Sequence, residues 1–238
     1  MAVTMFVALL AGALPFHATA QTDIAQSNDL KIAVDSLQEK ADSSRDTLLK
    51  VFDVTLAEIK ELLSKEKFIQ AAADKDEAIA AFAQTHLDTL KSHEAYIELL
   101  TQQASDEVAT LDDVKNIAVT AKEWRATIYE PNTKEIFALL LFLQARSVVG
   151  TATSRLTLIT ADLKKLNAVA SRVDNQALAQ FLVNAQKNIK NAKANLEAAR
   201  VALLAREVLE KKLQIVFLNI STTYGKIFLP MSRIAQKY

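Results

Sequence analysis

Apolar or small residues recur at Leu30, Val34, Leu37, Ala41, Ser44, Leu48 and Val51, in steps that alternate four and three. That heptad spacing gathers them on one side of an α-helix. The stripe then shifts by one position to Phe52, Leu56, Ile59 and Leu63, a stutter that relaxes supercoiling locally. One long helix is predicted over residues 23–69. Asp74 with Glu77 makes the pattern of a capping box and opens a second helix that ends near Ser105. Thr110 with Asp113 caps a short third helix carrying Trp124 and Tyr129, which Pro131 should end. Asn132 with Glu135 then starts a fourth helix running to about Ser171, with Leu156, Ile159, Leu163, Leu166, Ala170 and Val173 in heptad steps. Asp174 caps a fifth helix, whose seam is Leu178, Leu182, Ala185, Ile189, Ala192, Leu196, Ala199 and Leu203, continuing to about Gly225.

Two places break the amphipathic pattern because they are apolar all round: Ile136–Leu143, and Leu213–Gly225, which carries no charge. Around the first, the charge-free stretch ends at Glu135 and Arg146, and ten residues of helix cover about 15 Å, half of a bilayer core. A short helix segment apolar on every side is one surrounded by other helices. The reading is a core and not a span. If the last two helices fold back at about residue 173, both apolar segments fall at the same end of a hairpin. There Phe137, Phe142, Phe217, Ile220 and the Leu48–Leu63 stripe would fill a multi-helix bundle.

Composition agrees with helices throughout. Only three glycines and three prolines occur, too few for the turns of a β-rich chain of 238 residues. The fold class is therefore all-α: an elongated helical bundle of about five helices, long, antiparallel and coiled-coil-like. No cysteine is present, which excludes disulfides, thiolate metal sites and a cysteine nucleophile. The N-terminus has an apolar stretch from Ala2 to Leu14, a helix-breaking Pro15, and Ala18-Thr19-Ala20. This small-x-small ending predicts signal-peptide cleavage after Ala20 and an exported, envelope-associated protein, although no Lys or Arg precedes the apolar stretch.

Charge changes the picture most. Residues 1–131 contain 12 Lys and Arg against 22 Asp and Glu, and residues 132–238 contain 16 against 6. The halves thus carry −10 and +10 within a chain of zero net charge. The expected organisation is a signal over 1–20, an acidic three-helix half over 21–131, and a basic two-helix half over 132–238, packed into one bundle. Such asymmetry bears on assembly and partners. It suits internal packing of acidic on basic helices, self-association, or docking of a basic face on something anionic. The candidate anionic-partner surface consists of Lys187, Lys190, Lys193 and Arg200 on the fifth helix, with Lys164, Lys165 and Arg172 on the fourth. An anionic envelope polymer, a lipid surface or an acidic protein would fit. Nucleic acid is not expected, since no aromatic residues interleave with the lysines to stack on bases.

Catalytic signatures are missing. No glycine-rich phosphate loop, Gly-x-Ser-x-Gly elbow or Glu-x-x-His motif exists, and no catalytic, cofactor or metal residue is assigned. His86 and His93 lie about 10 Å apart along a helix, too far for one ion, and with Asp88 and Glu94 beside them read as a solvated face. "SSRDTLL" at Ser43–Leu49 and "TSRLTLI" at Thr153–Ile159 match in Ser, Arg, Thr and Leu, as a duplicated helical hairpin or two similar amphipathic helices would. The run "EWRATIYEPNTKEIFALLLFLQ" followed by "SRLTLITADLKKL" resembles exported helical proteins of candidate-phyla bacteria, over the C-terminal half. That resemblance implies an exported location and no activity. The expected function is a non-enzymatic helical scaffold or binding protein at the cell envelope. The alternative is a membrane-active protein using 136–143 and 213–220.

Overall fold

The computed structural model describes residues 44–106, 109–169 and 175–228, and among them it is helical with no strand. The signal segment, the heptads before Ser44, the Asp174 cap and Arg172 lie outside these residues. The helices are α1 (Ser44–Ser64), α2 (Glu66–Ala73), α3 (Glu77–Ser105), α4 (Leu111–Trp124), a π turn (Arg125–Tyr129), α5 (Glu130–Val169), α6 (Asn175–Leu204), α7 (Glu210–Thr223) and a second π turn (Tyr224–Phe228). The all-α class and a set of about five helical rods stand. The rods are not the five predicted, because two boundaries move in opposite senses.

The first concerns Pro131. Proline has no N–H for the helical ladder, and its ring crowds the carbonyl one turn back. Here the helix does not stop. The turn before Pro131 widens into π geometry, with the Glu130 N–H donating to the Arg125 carbonyl five residues back. That loosened register takes up the proline, and helix continues from Leu111 to Asp162 and beyond. Asn132 is therefore no cap. The second boundary lies inside the predicted fifth helix, which ends at Leu204. The Arg206 N–H donates to the Leu203 carbonyl, and the Glu207 N–H to that of Ala202 at 2.8 Å. This is a Schellman cap, and Arg206 occupies its left-handed position with φ 56°. No glycine marks the spot. A smaller shift moves the α3 cap from Asp74 to Asp76: the Ile79 N–H donates to Asp76 Oδ1, while Asp74 closes α2 through its N–H to the Gln70 carbonyl. The Thr110–Asp113 capping box forms as the residues predict.

Two compact units result. Among the described residues, the first holds Ser44–Ser64 together with Leu90–Glu130, thus α1, the second half of α3, α4 and the π turn. Its core comprises Leu48, Phe52, Ile59, Leu62, Leu90, Ile97, Leu100, Val114, Trp124 and Tyr129. The second unit holds Lys65–Thr89 and the chain from Pro131. Residues 65–89, acidic by composition, thus cluster with the basic half. Its core draws on Ile69, Ile79, Leu87, Ile136, Leu139, Phe142, Leu143, Ile189, Leu213, Val216 and Ile220.

Ile136–Leu143 is largely interior to this second unit, with Ile136, Leu139, Phe142 and Leu143 each no more than 1% exposed. The length argument against a span does not hold. Because helix runs through Pro131, and Arg146 is the sole charge between Ile136 and Ser154, Leu111–Asp162 is long and apolar enough to cross a membrane, with an 18-residue window of mean hydropathy 1.6. Burial, not length, assigns the segment to the core.

Candidate functional site

The basic face belongs to α6. Ala185, Ile189, Ala192, Ala199 and Leu203 turn into the second unit. Directly away from that seam, Val183, Lys187, Lys190, Ala194 and Val201 are exposed, as is Lys193 beside them. Between Asn175 and Leu196 these three lysines are the only charged residues. Lys164 on α5 is exposed as well; the side chain of Lys165 lies outside the described residues.

Arg200 departs from the expected patch. It is turned onto α3's cap, where its Nε donates to Asp76 Oδ2 at 2.5 Å and its Nη2 to Asp76 Oδ1 at 3.0 Å. A two-pronged pair of this kind fixes orientation as well as charge. The guanidinium holds the Asp76 carboxyl down to about pKa 2, against the desolvation that acts the other way. Arg200 also meets Glu197 one turn back at 3.5 Å. It is a structural clamp of the second unit and not part of an open cationic face.

The two histidines depart further, since neither is solvated. Both are 4% exposed. The reason lies in a pattern the sequence contains: Ile79, Ala83, His86, Leu90, His93, Ile97, Leu100 and Ala104 follow one another in alternating steps of four and three. Every one of them is buried. The histidines occupy core positions of α3's own heptad seam.

His86, in the second unit, faces polar groups. Its Nδ1–H donates to Asn132 Oδ1 at 2.5 Å, and its Nε2 lies 3.0 Å from Glu135 Oε2, close but out of line for a hydrogen bond. Glu135 in turn meets Arg206 Nε at 3.7 Å. The residue that carries the left-handed backbone thus also leans on the carboxylate beside His86. Asn132, expected to cap a helix, is instead a buried side chain of this centre. Phe82 packs on the His86 ring, centroids 4.3 Å apart.

His93, in the first unit, faces aromatic rings. Trp124 and Tyr129 both meet it edge-on, at 5.3 and 5.6 Å, and stack on each other at 5.3 Å. Five residues of α-helix would turn two side chains about 140° apart. The π turn, with its bond to the fifth residue, brings them onto one side. Tyr96 packs on Trp124 at 5.1 Å, and the Arg125 guanidinium lies 5.3 Å from the Tyr129 ring. Burial lowers the His93 pKa from its ordinary 6.5, and its Nε2 has no hydrogen-bond partner.

Chemically, neither centre sets a nucleophile against a base. Among the described residues no group of three or more His, Cys, Asp or Glu is placed to hold a metal ion. The described residues are all-α, with an exposed cationic helix face on α6 and buried histidine centres at His86 and His93. The chain matches no protein-family model, no curated protein and no solved structure.

Proposed function

We propose that this chain is a non-enzymatic helical binding protein, exported to the cell envelope, that docks on an anionic surface through the outer face of α6. The observation that carries the reading is the run of Lys187, Lys190 and Lys193. All three are exposed, Lys187 and Lys190 opposite the buried seam and Lys193 beside them, in a stretch of helix without a carboxylate. Each such lysine is worth about 1 kcal/mol near an anionic membrane surface. Three give a weak, salt-sensitive contact suited to docking and release. The exported location rests on the Ala18–Ala20 signal pattern and the resemblance of the C-terminal half.

Sedimentation of the chain with phosphatidylglycerol and phosphatidylcholine vesicles at low and high salt tests this. Binding to the anionic vesicles only, abolished by salt and by K187Q/K190Q/K193Q together, is the expected result. The second reading, a membrane-active protein, has its own observation: Ile215 and Leu218 on α7 are 44% and 66% exposed, inside the charge-free stretch. Binding that survives high salt and the triple substitution would favour it.

A further inference from the structure

We propose that the first unit is an acid-responsive element, in which uptake of a proton by His93 loosens the packing of α3 on α4 and the π turn. The inference stands independently of the docking face. Protonation of the ring adds a cation to a site with nothing prepared to receive it. His93 is buried, its Nε2 has no acceptor, and its described neighbours are the edges and faces of Trp124 and Tyr129. An N–H left there without a partner, now charged, carries the full desolvation penalty.

The ionic groups of the surrounding elements do not relieve it. Glu58 of α1 and Glu130 at the start of α5 both meet Arg125, at 3.4 and 3.7 Å. Glu94, next to His93 on α3, meets Lys60 of α1 at 3.9 Å. Arg125 brings a positive charge to the same aromatic cluster. A second cation therefore meets rings, one of them already beside a guanidinium, with these carboxylates engaged elsewhere. The response is local to this histidine. A protonated His86 would find an oxygen at each nitrogen, Asn132 Oδ1 and Glu135 Oε2.

The molecule carries its own reporter, because Trp124 is the only tryptophan and touches His93. Its emission should be quenched and shifted to the red at a pH below the ordinary histidine midpoint of about 6.5, since burial lowers that of His93. Amide protection in residues 90–105, corrected for the intrinsic pH dependence of exchange, should fall by about tenfold per pH unit below about 6.5 until the lowered midpoint of His93 is reached, with residues 185–203 unchanged. H93F should abolish the step and H86F should leave it in place; should H93F fail to fold, H93Q takes its part. A step that survives removal of His93, or protection in residues 90–105 that does not fall as pH drops below about 6.5, overturns the proposal.

Discussion

His86 and His93 stand seven residues apart in one heptad seam and are equally buried, yet their surroundings are opposite. One has an amide oxygen and a carboxylate at its ring nitrogens; the other has an indole and a phenol. The seam decides that a residue is inside. What the other helices bring to the same level decides whether a charge is tolerated there. Asn132 and Glu135 meet His86 only because the helix continues through Pro131, and Tyr129 reaches His93 only because the turn before Pro131 is widened. One proline adjustment thus supplies both contrasting environments.

The contrast can be broken most forcefully at Trp124. W124A removes the largest wall of the His93 cage and should destabilise the first unit by about 3–5 kcal/mol. Loss of protection in residues 90–124 by amide exchange, with 185–203 retained, is the expected pattern. At the other centre, E135A deprives His86 of its carboxylate and Arg206 of its contact, at a cost of about 1–3 kcal/mol. The unfolding midpoint of E135A at about pH 7 checks this; a midpoint equal to the parent's would show the carboxylate irrelevant to that centre.

Asp76 gives a milder effect with a defined sign. Its carboxyl is depressed from 3.8 to about 2 by Arg200, so the unfolded chain binds its proton more readily. The stabilisation, about 1–2 kcal/mol, is present above pH 4 and is lost as pH falls through about 2. D76N should flatten that acid limb in a plot of denaturation midpoint against pH, and leave the His93 response near neutrality untouched. The smallest effect belongs to Arg206. R206G relieves a left-handed backbone by about 1 kcal/mol and gives up an exposed pair worth about 0–1 kcal/mol. A slight rise in thermal midpoint is expected, measured by calorimetry.

Much of this was legible in the chain. The capping box at Thr110 and Asp113 and the α6 seam through Ala185, Ile189 and Ala192 follow from spacing alone, and the burial of Ile136–Leu143 from its being apolar on every side. The histidines were legible too, but only if His is allowed a heptad position; counting Asp88 and Glu94 as neighbours pointed to solvent instead. The α6–α7 break was not legible, because its left-handed residue is Arg206 and the signal for such a cap is glycine. Pro131 misled for a related reason. A proline reports a missing N–H but does not say whether the chain will stop or widen by one register, and tertiary packing of Trp124 and Tyr129 decided it. Asp74 fits the start of α3 by its spacing to Glu77, but it closes α2, and Asp76 caps α3 in its place.

The π turn also has a consequence for how this chain tolerates change in length. Arg125–Tyr129 amounts to one residue inserted into an otherwise regular rod, with Ala126, Thr127 and Ile128 of that turn exposed. Substitution there is cheap, but deletion is not. Loss of a single residue would restore ordinary winding; Trp124 and Tyr129, then about four residues and about 40° apart, would still share a side, but Pro131 would crowd the carbonyl one turn back. The turn behaves as a spare residue stored for the proline, and its residue count is constrained more tightly than its residue identities.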